Sequence, residues 1–522
     1  MPDGYRLHRG PLIKFGVVVD NVTNSQPLED AVGNTSKQAR LSGRMGTTSL
    51  MLTVLAFAAP MAVVAGYLPF TIVADGPGAS LALCLTTAIL LLFTVGYVTM
   101  TRHVPKPGDF YAFISSGLGN VPGLGAAFLA VISYVALLLG GYVFFGISVS
   151  SAIVSLVGVQ TEWWEWSLVG WIAVSALGYL HIELSAKVLS VSMMIEIAIV
   201  MIFNVAVIHS GGADGLSVEP FTPSAFIRGD VGVTLLYAIL LFVGFEATAL
   251  FRDELVEPDR TIPRATYGAV ILVGLLYTLS CYALVSAYGQ RVWDIAKDDP
   301  ASMFAHAISI YAGRTMAEVT QVFVSMSVLA SLISIHNVLS RYVFNLAADR
   351  AFPKYFSSVH YQHRSPHAAS NLIAFVALLL IGLLLFTHAN SAETYGMAAG
   401  IGGLGVVVLM AMVSYSAVAW FARNGMPKEE NAFKTLIAPG ISAIVLTLTA
   451  IFGVIHLDLV VGGKPGEYGW VTYLLLAAFV IGSLVAFYFR CAMPEVYQNL
   501  GRAERVFEFL ANRQERADQL SD

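Results

Sequence analysis

Charge is what this 522-residue chain lacks. Asp, Glu, Lys and Arg together make up 12% of it, while hydrophobic residues make up 57%. That is about half the charged share of an average soluble protein, too little to cover a soluble globule of this length. Residues 121–160 hold no charged side chain at all, and a helix of ~20 apolar residues crosses the ~30 Å of a bilayer's hydrocarbon. Cysteine is scarce too. Cys84, Cys281 and Cys491 stand far apart with no CxxC or Cys/His spacing, which speaks against a metal site, a disulfide framework or a redox motif. No cofactor is implied. The net charge of −5 with scattered Lys and Arg leaves no basic stripe for nucleic acid. The apolar runs lack the two-residue alternation of an outer-membrane barrel. Residues 1–45 are polar and mixed and do not read as a cleavable leader, so the first apolar run is expected to direct insertion itself.

What is there is a polytopic helical membrane protein. Charge-free runs predict twelve spans, near 49–74, 79–101, 121–155, 166–183, 188–209, 231–252, 265–289, 316–341, 368–388, 394–422, 435–456 and 468–490. An interfacial segment near Asp109 is the alternative start of the third, and residues 301–311 read as a short external helix. The expected division is an N-terminal tail over 1–45, a transmembrane core over 46–490 and a C-terminal tail over 491–522. With both ends inside, 24 of the 29 Lys and Arg fall on the cytoplasmic side, so the positive-inside rule predicts cytoplasmic termini. The C-terminal tail, with Leu500, Val506, Phe507 and Leu510 among charges, reads either as an amphipathic helix at the membrane surface or as a solvated one.

Two spans carry interruptions. The first contains Ala59-Pro60-Met61-Ala62-Val63-Val64, and the sixth contains Phe242-Val243-Gly244-Phe245-Glu246. They sit at the start of each half when spans one to five are set against six to ten. Matched interruptions point to a transporter's midplane site, because an unwound turn frees N–H groups for a carboxylate and C=O groups for a cation. A simple proline kink and small-residue helix packing are the plain alternatives. Deep in the spans lie two acids, Glu196 and Glu246. A carboxylate there either finds a partner or takes up a proton. Each is thus open to two roles, proton coupling or structural bonding between helices. His336 reads as a satisfied core histidine more readily than as a proton relay. The string Gly400-Ile-Gly402-Gly403-Leu-Gly405 matches GxGxxG inside an apolar span, so it reads as close helix packing and not as a dinucleotide turn.

On these residues the chain resembles the amino acid–polyamine–organocation permease superfamily, over roughly residues 46–490. Four blocks carry the likeness: Ala59-Pro60 with Gly76-Pro77-Gly78; the stretch 104–119 with Pro107, Gly108, Tyr111, Gly117 and Gly119; residues 242–246 running into Glu254, Glu257-Pro258, Arg260 and Pro263-Arg264-Ala265; and Ser340-Arg341 with Asp349-Arg350, Pro353 and Ser365-Pro366. The resemblance implies a LeuT-like fold, two inverted five-helix repeats with discontinuous helices 1 and 6 and two further helices. It implies carriage of an amino acid or related amine across the cell membrane by alternating access, as a proton symporter or an exchanger. Residues Ala59, Pro60, Met61, Ala62, Val63 and Val64 are then the carboxylate-binding stretch, and Phe242, Gly244 and Phe245 the ammonium-binding and gating stretch. Tyr134 and Tyr395 are side-chain candidates for the pocket, and the charged loop 254–264 either braces an inner gate or simply anchors the topology. Two departures stand out. Pro60-Met61-Ala62 replaces the small triplet of many relatives, and Glu196 falls near the place where some sodium-independent relatives have a Lys. The ion therefore stays open between a proton on Glu196 or Glu246 and sodium held with Ser331 and Ser334. A non-transporting sensor on the same fold is the alternative from another class. Substrate identity and oligomeric state are not readable.

Overall fold

The computed structural model describes residues 45–104, 109–180, 183–358, 366–461 and 466–501. Most of the two expected tails, the start of the 104–119 block and Ser365 lie outside these residues. Helices dominate, and the one extended pairing among the described residues is an isolated bridge between Met45 and Leu255. Ten segments are long and apolar enough to cross a membrane. The first of them, Thr47–His103, takes in both of the first two expected spans. Where the fourth span was expected, at 166–183, the helix Trp163–Leu180 covers 18 residues but is not among the ten.

In chain order, α1 is Thr47–Ala58, α2 covers 60–75, and α3 is Ala79–His103. The short α4, Asp109–Leu118, forms the expected segment before α5, Asn120–Val157. Then come α6 (Trp163–Leu180), α7 (Glu183–Ser210), α8 (Val231–Leu240) and, past a break, a 3₁₀ segment Phe245–Glu254. The second half holds α9 (Pro258–Tyr288), α10 (Met303–Tyr311), α11 (Arg314–Ala348), α12 (His367–Phe386), α13 (Ser391–Asn424), α14 (Ala438–Ile455) and α15 (Trp470–Ala492). Starts are set by side chains where water is near. Asp230 accepts from Val233 N at 3.0 Å, and Asn390 accepts from Ala392 N and Glu393 N, as N-caps do.

Helix ends depart from expectation where a charge is buried. The eighth span was expected to stop at Arg341, but α11 runs on to Ala348. Arg341 does not mark the water boundary because Glu254 pairs with it inside the protein, at 2.6 Å from Nη2. A charge-free run therefore underestimates a helix whose last charge is neutralised within the fold.

The bundle closes through small residues. A Cβ at Gly403 would fall 1.7 Å from Leu240 Cδ2, and one at Gly405 would fall 1.9 Å from Ser133 Oγ. The glycine string of α13 therefore seats α5 and α8 against it, the packing role expected of it. Elsewhere apolar side chains face outward at helical spacing, as with Phe375, Leu379 and Leu383 on α12 and Leu476, Ile481 and Leu484 on α15. Such stripes suit hydrocarbon and not water.

Candidate functional site: a cavity between two broken helices

The first interruption is a change of backbone at one residue. Ala59 adopts φ 44°, ψ 66°, a left-handed conformation that costs an L-residue roughly 1–2 kcal/mol. Its own N–H still bonds back to Leu55 O and Ala56 O, so α1 ends in order. Pro60 then opens α2. It has no N–H to satisfy, and its fixed φ suits a first helical position. Val63–Tyr67 is a π turn. The backbone is therefore interrupted at Ala59, the first residue of the expected stretch, and Pro60 starts a helix where it was expected to sit in unwound chain.

Each loose end at this break meets a side chain from another helix. Ser331 Oγ on α11 donates to Phe57 O at 2.8 Å, and Tyr277 OH on α9 donates to Ala58 O at 3.3 Å. Ala62 N donates to Ser327 Oγ at 3.4 Å. Glu196, only 2% exposed on α7, accepts from Ser192 Oγ at 3.0 Å and also faces Ser327 and the Met61 N–H. A carboxylate thus sits on the N-terminal end of α2, where the helix dipole favours negative charge.

The second interruption follows Leu240. Gly244 takes φ 119°, open only to glycine at ordinary cost. A Cβ there would also lie 1.7 Å from Phe57 Cδ1, so the two breaks touch. The following 3₁₀ segment of ten residues is far longer than is usual for that helix. Its brace is Glu246, fully buried. Oε2 accepts from Gly244 N at 2.7 Å and Oε1 from Tyr134 OH at 2.9 Å. Tyr97 OH donates to the Glu246 carbonyl.

Between the breaks lies a cavity of about 100 Å³. Of the expected binding residues, Ala59, Ala62, Val63 and Ser331 line it. Pro60, Met61 and Val64 are buried beside it without lining it, as are Phe242, Gly244 and Phe245. Leu240, Leu241 and Val243 supply the wall from the second break instead. Tyr134 is spent on Glu246 and packs edge-on against Phe57, ring centroids 6.0 Å apart. Tyr395 stands one layer back, stacked on Phe144 at 4.7 Å and 5.2 Å from Tyr67. Ser334 bonds to Ala330 O on its own helix. His336 is fully buried and bonded to Ser370 Oγ at 2.8 Å.

Several lining residues were not anticipated, although a periodic signal pointed to them. Leu137, Gly141 and Phe144 continue the helical stripe of Tyr134, and Val328 and Ile335 flank Ser331 three and four residues away. Following the stripe one turn either side of Ser331 and three turns on from Tyr134 would have found them. Another omission is a third buried acid, Asp75, whose Oδ1 accepts from Gly229 N at 2.8 Å. Its neighbours Gly76-Pro77-Gly78 made it read as loop.

At the end of the bundle where α1 begins, the sequence blocks converge. Arg341 pairs with Glu254 and lies 4.4 Å over the Phe251 ring. Met45 N donates to Glu254 O, and Val256 N to Met45 O. Arg252 holds Thr101 O and Asp259, while Asp349 accepts from Tyr111 OH at 3.0 Å. Residues far apart in sequence thus fasten α3, α4, α11 and the 3₁₀ segment together.

A family model described as amino acid permease matches residues 46–500. The chain belongs to that family, within the amino acid–polyamine–organocation superfamily. An uncharacterized transporter of Mycobacterium tuberculosis is 24% identical to the permease over 378 residues, 72% of this chain and 80% of that one. The branched-chain amino acid permease BcaP of Bacillus subtilis is 22% identical over 490 residues, covering 90% and 97%. The low-affinity putrescine importer PlaP of Escherichia coli is 22% identical over 374 residues, covering 69% and 77%. The permease is thus a multi-pass membrane transporter of the class that carries amino acids or amines, all-helical and consistent with the LeuT-like fold.

Proposed function

We propose that this permease takes up an amino acid or a closely related amine across the plasma membrane by alternating access, driven by protons. The observation that carries the reading is that both broken helices meet at one cavity, with Gly244 set against Phe57. The α-carboxylate of a substrate binds towards the N-terminal end of α2, and its ammonium towards the carbonyl end of α8, where helix dipoles of the right sign converge. The topology that goes with this reading has two inverted five-helix repeats, two added helices and both termini in the cytoplasm. The residues around Arg341 and Glu254 then form the inner closure, with 1–45 and 491–522 as flanking tails.

Coupling is assigned chiefly to Glu196. Its carboxylate and that of the substrate compete for the same helix end, which Met61 and Ala62 open. A proton on Glu196 removes the conflict, so substrate and proton bind together. Glu246, engaged by Gly244 N and Tyr134 OH, braces the second break and is the second coupling candidate. Sodium held by Ser331 and Ser334 is the other candidate, since both hydroxyls donate to backbone carbonyls and keep their lone pairs for a cation.

The test is purified permease in liposomes under an imposed inward proton gradient. Labelled amino acid should accumulate against its own gradient. Failure of every member of a complete amino-acid and polyamine panel to bind or move would overturn the proposal. Uptake that ignores the proton gradient and needs substrate inside the vesicle would assign exchange instead, and dependence on sodium would assign that ion. Ligand binding with no flux would point to a sensor.

A further inference from the structure

From the cavity wall we infer that the substrate carries a neutral, apolar side chain, and that diamines and amino acids with charged side chains are excluded. This rests on the transport reading above and narrows it. Among the described residues lining the cavity there is no Asp, Glu, Lys, Arg, His, Asn or Gln. Apart from the breaks, the wall is formed by Leu137, Gly141, Phe144, Val328, Ile335 and Ala399; Tyr67 also lines it, its hydroxyl bonded to Tyr395. Ser331 supplies a hydroxyl there, and that hydroxyl is engaged with Phe57 O.

A diamine or a lysine brings a second ammonium, which needs a carboxylate once it leaves water. The two acids nearest the breaks do not serve. Glu246 is buried outside the lining and bonded to Gly244 N and Tyr134 OH. Glu196 also lies outside it, turned to Ser192, Ser327 and Met61. A glutamate side chain fares no better, for the wall offers no cationic residue to meet it. An apolar side chain, by contrast, gains about fourfold in affinity for each methylene it buries. The chemistry of the wall therefore ranks leucine, isoleucine and valine above alanine, and alanine above lysine and putrescine.

Competition against labelled leucine in proteoliposomes of the full chain tests this. Leucine, isoleucine and valine should compete at least ~100-fold more strongly than lysine, glutamate or putrescine. If lysine or putrescine competes as well as leucine, the inference falls while the transport reading stands. If no member of the panel binds or moves, both fall together. Two variants read the wall directly. Ala399→Leu fills space, so it should weaken leucine at least ~10-fold more than alanine. Val328→Asp supplies the missing carboxylate and should shift the lysine-to-leucine ratio towards lysine by ~10-fold or more. Where Val328→Asp does not fold, Ala399→Leu decides, and an unchanged leucine-to-alanine ratio in that variant would overturn the assignment of this wall to the side chain.

Discussion

The two breaks solve one problem in opposite ways. At Ala59 the freed backbone groups are met by side chains from α7, α9 and α11. At Gly244 the chain bends on a glycine and is stitched by an acid two residues further on, Glu246, which Tyr134 of α5 and Tyr97 of α3 brace in turn. The first break rests on side chains from outside, while the second carries its own carboxylate into the turn. The same difference separates the two acids. Glu246 closes a turn in its own segment, whereas Glu196 reaches from α7 to the end of α2.

The comparison can be broken most forcefully at Gly244. Gly244→Ala must place a Cβ against Phe57 at a positive φ, and a loss of roughly 3 kcal/mol or more is expected. Thermal unfolding of the detergent-purified variant measures it, and an unchanged Tm would show that the breaks do not press on each other. Next come the acids. Glu196→Gln should lower proton-driven uptake at least ~10-fold and flatten its pH dependence. Glu246→Gln should leave the pH profile of the residual uptake in place. Each loses an accepted hydrogen bond, so either should cost about 1–3 kcal/mol of stability, and the pH profile is what separates their roles. Reversed outcomes would exchange the two roles.

A smaller effect is expected at Ala59. Ala59→Val should destabilise by about 2 kcal/mol, since a β-branched residue tolerates the left-handed region poorly. Ala59→Gly should hold or raise Tm, because relieved strain offsets the added entropy of the unfolded chain. If valine is harmless there, the strained turn is not what ends α1. The smallest change is Ser331→Ala, which leaves Phe57 O without its hydroxyl and should cost about 1 kcal/mol. A double variant with Tyr277→Phe should cost more than the sum of the singles if both hydroxyls hold one structure, measured as a double-mutant cycle.

Much of this was legible before any coordinates. Runs without charge locate the helices, since uncompensated charge is costly in hydrocarbon. Pro60 and Gly244 flag the interruptions because each constrains the backbone locally. What misled was also local. Pro60 marks the start of a helix as readily as unwound chain, and the left-handed Ala59 before it has no sequence signal of its own. Tyr134 and Tyr395 were expected in the pocket, yet neither lines it: one serves Glu246 and the other backs Phe144 and Tyr67. Which side of a buried helix faces a cavity depends on neighbours that an apolar pattern does not name.

By itself the sequence determined the helical membrane character, the permease family and the neighbourhood of both breaks, because hydrophobicity and backbone freedom belong to short stretches of chain. The tertiary structure alone decided that Phe57 meets Gly244, that Glu196 caps α2 from another helix, that Arg341 is neutralised by Glu254, and that the described residues of the cavity wall carry no charge. Those are contacts between residues tens to hundreds of positions apart, and packing in three dimensions is what selects them.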